Sequence, residues 1–372
     1  LIVVLCVYWA ATLLNLRGMK TSAGVTKWGT IIGTIIPGAI LILLGLGYWA
    51  GGNPILLDMS WDKLVPDMSN FNNLVLAASI FLFYAGMEMS AVHVKDVNNP
   101  GRNYPLAILI SAIITVLIFV LGTLAIGFII PNSQINLVQS LLITYDSYFS
   151  FFGLGWMNWI LALALAVGVL AQVTAWVGGP SKGLYQVGLA GNLPPVMQKR
   201  NKNNVQMGIL LIQGGIVTLL SIMFVIMPSV QSAYQIISQL TIILYLIMYM
   251  LMFASGIYLR YREPNTPRTF RIPGGRTFGM WIVGGLGFLA SLAAFLVSFI
   301  PPNQITVGSS TMYILLLVVG TFIFAGIPFI IHAMAKPSWK RPVDPEDAFE
   351  PFGWEKNNDS HSAATPSHSI SH

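Results

Sequence analysis

The chain has 372 residues, of which 55% are hydrophobic and only 9% charged, with a mean hydropathy of +0.72 and a net charge of +6. Soluble domains carry about a quarter charged residues, so this composition excludes an ordinary water-soluble globule and points to a membrane protein. The single cysteine, Cys6, excludes an internal disulfide framework and a cysteine-based metal centre.

Apolar runs of about 20 residues, each long enough for a hydrocarbon layer of roughly 30 Å, recur along the chain. They predict spans near 1–16, 28–50, 71–92, 105–130, 152–179, 205–227, 231–259, 278–300 and 311–334, and hence an all-α multipass protein. The first run, Leu1 to Leu14, is short for a complete span and starts without Met. Its positive residues come after it, whereas a signal peptide carries them before. The expectation is a chain cut inside a span, with further spans upstream.

The connecting segments test this division independently, because short cytoplasmic loops collect Lys and Arg. Arg17, Lys20 and Lys27 follow the first span, and Lys95 and Arg102 the third. Lys182, Lys199, Arg200 and Lys202 follow the fifth, and Arg260, Arg262, Arg268, Arg271 and Arg276 the seventh. Lys336, Lys340, Arg341 and Lys356 lie in the tail. In the alternate loops Lys63 is the lone cation, against Asp58, Asp62, Asp67 and Asp146. This alternation predicts a cytoplasmic C-terminus, and it makes the net charge a matter of topology rather than of nucleic-acid binding.

The third predicted span holds Glu88, the charged side chain set within the long apolar run Leu74 to Ala91. A charge at that depth costs roughly 3 kcal/mol or more unless it faces protein or water, so it marks a transport pathway by default. Gly86 interrupts the same span, and a glycine-broken span points to a transporter binding site because it exposes backbone N–H and C=O groups. Packing alone is the competing explanation: Gly86 as a close helix contact, Glu88 as a hydrogen-bonded interior residue. The pair together favours the pathway. Asn98-Asn-Pro-Gly-Arg102 then reads as a cytoplasmic turn.

Further along, Gln172 and Trp176 are four residues apart, as are Tyr245 and Tyr249, so each pair shares a helical face. Aromatic faces attract an ammonium group, and an amide or phenol hydrogen-bonds a carboxylate. Aromatic residues at this spacing serve equally as packing or interface anchors. Enzyme signatures are weak. Gly285-Leu-Gly-Phe-Leu-Ala290 fits a dinucleotide pattern in letters but lies in an apolar span with no preceding strand, and Gly179-Pro-Ser-Lys182 lacks phosphate-loop spacing. His93 and His332 stand alone, and neither a metal site nor a cofactor is expected.

Tyr84-Ala-Gly-Met-Glu-Met-Ser-Ala91, followed by Asn99-Pro-Gly-Arg-Asn-Tyr-Pro105, resembles the sixth span and following loop of the amino acid/polyamine/organocation (APC) transporters, most closely the bacterial glutamate/γ-aminobutyrate antiporters. The resemblance extends to Leu13-Leu-Asn15 with Gly18 and Lys20, to Gly178-Gly-Pro-Ser-Lys-Gly-Leu-Tyr185 with Leu193-Pro-Pro195, to Arg268-Thr-Phe-Arg-Ile-Pro-Gly-Gly275 and to Ser298-Phe-Ile-Pro-Pro302. It implies the LeuT-like inverted-repeat fold, with about nine of twelve transmembrane helices present, and substrate held where the first and sixth spans unwind. It also implies that Glu88, Trp176, Tyr245 and Tyr249 line the transport path. Gln172 departs from the pattern: enterobacterial members carry Glu there, which bears on acid dependence and on the choice of substrate.

Beyond Ala335 the composition turns polar, and such a segment does not bury enough apolar surface to fold alone. In the resembling antiporters a C-terminal segment plugs the cytoplasmic mouth near neutral pH. Here His361, His368 and His372, which titrate near pH 6.5 in the unperturbed state, are the candidate pH sensors.

The expected function is a non-enzymatic antiporter of the bacterial inner membrane. It would take up glutamate, export γ-aminobutyrate and contribute to acid resistance, with a cytosolic glutamate decarboxylase as metabolic partner. The alternatives are a permease of the same superfamily with another amino acid substrate and, from a different class, a channel or a non-transporting receptor.

Overall fold

The structure is a computed structural model that describes residues 1–60, 67, 69, 73–75, 77, 80, 84–136, 139–227, 229–266, 268, 270–275, 277–301 and 309–341. Residues 71, 72, 76, 78, 79 and 81–83 of the span expected at 71–92, and the whole tail from residue 342, including His361, His368 and His372, lie outside these residues. So does Arg276.

Among the described residues the fold is all helical, without strands. Helix α1 is Ile2–Leu16, and α2 (Met19–Thr30) runs through a widened π turn at Ile31–Ile35 into α3 (Ile36–Ala50). A 3₁₀ segment, Met87–Asp96, precedes α4 (Pro100–Ile129), and α5 (Ser140–Phe151) leads to α6 (Asn158–Val187). The remainder is α7 (Met207–Leu220), α8 (Met223–Ile226), α9 (Val230–Arg262), α10 (Phe278–Val297) and α11 (Ser310–Ala333).

Seven helical stretches among the described residues are long and apolar enough to cross a bilayer: Met19–Ala50, Pro100–Ile129, Gly155–Asn192, Met207–Ile226, Val230–Arg262, Phe278–Val297 and Ser310–Ala333. The shorter apolar helix α1 stands beside them. Helices overrun the apolar windows of the sequence where charge begins. The second expected span opens at 28, yet its helix starts at Met19 and carries Lys20 and Lys27 on an N-terminal extension. Likewise α6 continues through Pro180 to Val187, although the expected span closes at 179. A proline inside a membrane helix is tolerated because neighbouring helices re-satisfy the backbone groups it frees.

Lipid is the medium these surfaces fit. None of the most apolar stretch of α4 is buried inside the protein, and Leu109, Ile113 and Leu117 on it are each more than half exposed. In water, that face would be a continuous apolar patch of the kind monomeric soluble proteins avoid; in hydrocarbon it costs nothing.

Two groups of helices carry the interior. Leu41 of α3, Ala125 of α4, Tyr145, Tyr148 and Phe149 of α5 and Leu161 of α6 form one apolar cluster. Burial there does not orphan the phenols: the Tyr145 hydroxyl donates to the Pro37 carbonyl at 2.7 Å and that of Tyr148 to the Ala125 carbonyl at 2.6 Å. Ile236 and Ile243 of α9 pack with Tyr313 and Leu317 of α11 in a second cluster. Lipid tails are as apolar as leucine, so close approach between small residues holds membrane helices together. The π turn meets α6 at such a point, where Gly33 and Gly168 stack backbone on backbone and a Cβ on Gly33 would fall on Gly168. Gly33→Ala is therefore expected to cost about 1–3 kcal/mol through overpacking, read as a lower thermal unfolding temperature in detergent. Gly24→Ala, one helical segment earlier with nothing within 4 Å of the added methyl, serves as the unaffected control.

Asn15 ties the N-terminal helix to the same scaffold. Its amide nitrogen donates to Ala11 O of its own helix at 3.0 Å and to Thr174 O of α6 at 2.9 Å, with the residue only 6% exposed. The position Gly178 would give a Cβ lies 2.5 Å from the Asn15 Oδ1, so glycine there is what lets the amide reach α6.

Candidate functional site

The site is built where the chain stops being an α-helix. Tyr84 is helical, Ala85 and Gly86 form a turn, and the backbone resumes as the 3₁₀ segment Met87–Asp96. Gly86 has φ +103°, a conformation L side chains rarely adopt, and this turns its N–H away from the helix axis. That N–H is shared between Glu88 Oε2 at 3.1 Å and the Tyr249 hydroxyl oxygen at 3.3 Å. The Tyr249 hydroxyl in turn donates to the same Glu88 Oε2 at 2.9 Å. Glu88 is thus fixed by its own broken helix and by α9, 161 residues away in sequence. Its second oxygen, Oε1, is buried and has no hydrogen-bond partner among the described residues.

An aromatic row closes around this carboxylate. Trp176 of α6 and Tyr245 of α9 meet edge to face at 6.0 Å between ring centroids, as do Tyr245 and Tyr249 at 5.7 Å, while Tyr249 and Phe253 lie tilted at 6.3 Å. The i, i+4 spacing of Tyr245, Tyr249 and Phe253 sets them in one line along α9. Trp176 also covers Gly86: a Cβ there would sit 2.8 Å from the indole ring. The tryptophan remains 43% exposed, so one side of it faces open space. That space is a cavity of about 270 Å³ lined by Tyr84, Gly86, Met87, Thr115 of α4, Trp176 and Pro180, among others.

Of the residues singled out from the sequence, Gly86, Glu88, Trp176, Tyr245 and Tyr249 come together in one place. Gln172 does not join them. Its amide nitrogen donates to Thr34 Oγ1 in the π turn at 3.1 Å, one helical turn from Trp176 on an exposed face. Sequence reasoning missed Met89, Thr115, Ala175 and Pro180 as cavity walls. Phe253 carried a usable signal, the continued four-residue spacing from Tyr249; Thr115 carried none.

A second, larger cavity of about 670 Å³ opens beside the first, between α1, α2, α6 and the segment after it, with Asn15, Lys27, Lys182, Arg200 and Gln206 in its walls. Gln206 donates from its amide to Ser181 Oγ at 2.8 Å, and the Arg200 guanidinium lies over the Tyr185 ring at 4.5 Å. The chain leaving the last membrane helix docks nearby: Gln198 donates to Trp339 O at 2.9 Å, and the Arg341 N–H to Leu189 O at 3.4 Å. No group of three or more His, Cys, Asp or Glu able to hold a metal ion occurs among the described residues.

A part-buried carboxylate held beside a helix break, with aromatic rings around it and a cavity next to it, is the kind of feature that marks a candidate transport site in a membrane protein. Comparison with known proteins gives the same direction. The family model described as amino acid permease matches residues 1–324. An uncharacterized transporter of Legionella pneumophila is 37% identical over 88% of this chain and 70% of its own length. A glutamate/gamma-aminobutyrate antiporter of Lactococcus lactis is 33% identical over 89% of this chain, which spans 66% of that relative. A probable agmatine/putrescine antiporter of the same species is 23% identical over 74% of this chain and 58% of its own length. With a family match over most of its length and apolar helices to cross the bilayer, the chain belongs to the amino acid permease family of the APC superfamily, as a multipass bacterial membrane transporter and not an enzyme.

Proposed function

We propose that the whole protein is a secondary antiporter that brings in glutamate and exports γ-aminobutyrate across the bacterial inner membrane, with its C-terminus in the cytoplasm. The observation that carries this is Glu88: one carboxylate oxygen is held by Tyr249 and Gly86, and the other is buried without a partner. An unsatisfied oxygen at that depth costs about 1–3 kcal/mol, which a cargo ammonium approaching through the Trp176 cavity offsets. Trp176, Tyr245 and Tyr249 supply π faces for the same ammonium, and the Gly86 turn fixes the acid's orientation. Exchange then proceeds by rocking one helical bundle around this site.

The choice of cargo draws on the Lactococcus antiporters, whose name specifies glutamate and γ-aminobutyrate. A cytosolic decarboxylase that turns the imported acid into the exported amine consumes a proton in each cycle, so exchange would contribute to acid resistance. The second reading, a permease of the same family with another amino acid substrate, is favoured by one observation: position 172 carries an amide engaged with Thr34 instead of an acid.

Counterflow decides between them. The complete protein in proteoliposomes loaded with γ-aminobutyrate should accumulate radiolabelled glutamate, and empty vesicles should not. Uptake without preload points to a channel or a driven symporter, and absence of flux to a receptor. Preference for a different amino acid in a competition panel removes the glutamate assignment alone. In the same assay Gln172→Glu should push the pH profile towards acid. A carboxylate one helical turn from Trp176 would oppose an anionic cargo passing that ring by about 1–2 kcal/mol when ionised, on the order of a tenfold loss near neutrality that disappears as the new carboxyl protonates.

A further inference from the structure

The larger cavity lies one wall away from the Trp176 cavity. Met89 and Ala175 line both, and the Met89 methyl lies 3.4 Å from where Gly179 would carry a Cβ, which places the thioether against α6. Three of the described residues lining the larger cavity are cationic, Lys27, Lys182 and Arg200, and none is acidic. They come from α2, from α6 and from the segment after α6, so the fold assembles them. The positive-inside rule accounts for cations in cytoplasmic loops; Lys182 and Arg200 are in addition half-buried and border a volume within the usual range for ligand pockets. Stacking on Tyr185 fixes the plane of the Arg200 guanidinium, the group best shaped for a carboxylate.

We propose that this cavity is a second, inner binding station, in which Lys182 and Arg200 hold a carboxylate of the cargo and Met89 is the partition separating it from the Trp176 cavity. The station rests on the reading of Glu88 and the neighbouring Trp176 cavity as the transport site, and it divides the labour: carboxylate recognition on the cytoplasmic side, ammonium recognition at Glu88. Carboxylates of the same chemistry also occur in this chain's own tail, at Asp344, Glu346, Asp347 and Glu350, so the test separates the two sources.

The test uses the complete protein in sided membrane vesicles with radiolabelled γ-aminobutyrate. Lys182→Met and, separately, Arg200→Gln should each raise the half-saturating concentration at the cytoplasmic face by roughly tenfold, as loss of a charge-assisted contact does. The external face should change by less than about twofold. Lys182→Arg should retain near-native values, which separates lost charge from misfolding. Equal rises on both faces, or no rise, overturn the proposal. With residues 342–372 deleted the cytoplasmic effect should persist; if it vanishes, the cations hold the tail and the cargo station is refuted. Should no amino acid exchange at all, the transport reading fails first, and equilibrium binding of radiolabelled glutarate to the protein in nanodiscs decides the station alone. Binding lost in Lys182→Met supports it, and binding unchanged overturns it.

Discussion

Glu88→Gln is expected to slow exchange by about 10- to 150-fold with the fold intact. The amide is nearly isosteric, and its carbonyl oxygen still accepts the 2.9 Å hydrogen bond from Tyr249 and the 3.1 Å bond from Gly86. What disappears is the negative charge offered to the cargo. A hydrogen bond to a charged group contributes about 1.5–3 kcal/mol, which converts to the stated factor. Initial rates of counterflow, alongside size-exclusion profiles that report folding, are the measurement. Native exchange by a well-folded Glu88→Gln protein across the acid range would sink the assignment of this carboxylate to the path.

Gly86→Ala should be at least as damaging, and for a geometric reason. At φ +103° a side chain is strained by about 1–3 kcal/mol, and the added methyl would stand 2.8 Å from Cζ2 and Cη2 of Trp176. Either the indole leaves its place or the turn relaxes and withdraws the N–H from Glu88. Exchange should fall more than tenfold, and tryptophan emission should shift as the ring moves. Trimming the obstacle provides the control: Gly86→Ala combined with Trp176→Phe should recover part of the loss relative to the product of the single effects, because residues in contact do not behave additively. No recovery would mean that the backbone strain, rather than the indole contact, dominates.

Much of this molecule was legible before any coordinates. Apolar runs marked most of the helices, because a bilayer imposes length and hydropathy together. Glu88 stood out because a charge in hydrocarbon needs a reason, and Gly86 because it lies two residues away in the same run. The partner of Glu88 was not legible. Spacing predicts neighbours on one helix, as it did for Tyr245 and Tyr249, but it says nothing of which distant helix they face. Gln172 shows the same limit: its position opposite the π turn, where it reaches Thr34 and not Glu88, is a tertiary fact. Helix ends misled for a different reason. Lys20 and Lys27 lie before the apolar window at 28–50 yet within its helix, since backbone hydrogen bonding outlasts the hydrocarbon layer, and α6 continues through Pro180 beyond the span expected near 152–179.

The widened turn at Ile31–Ile35 has a use that hydropathy does not reveal. Inserting one residue into a helix that advances about 100° per residue changes the phase of everything beyond it. The half before the insertion presents Lys27 to a water-accessible hollow, and the half after it seats Leu41 among Ala125 and Tyr148. One continuous rod thereby addresses two environments in different azimuthal directions, without a break that would strand backbone amides in oil.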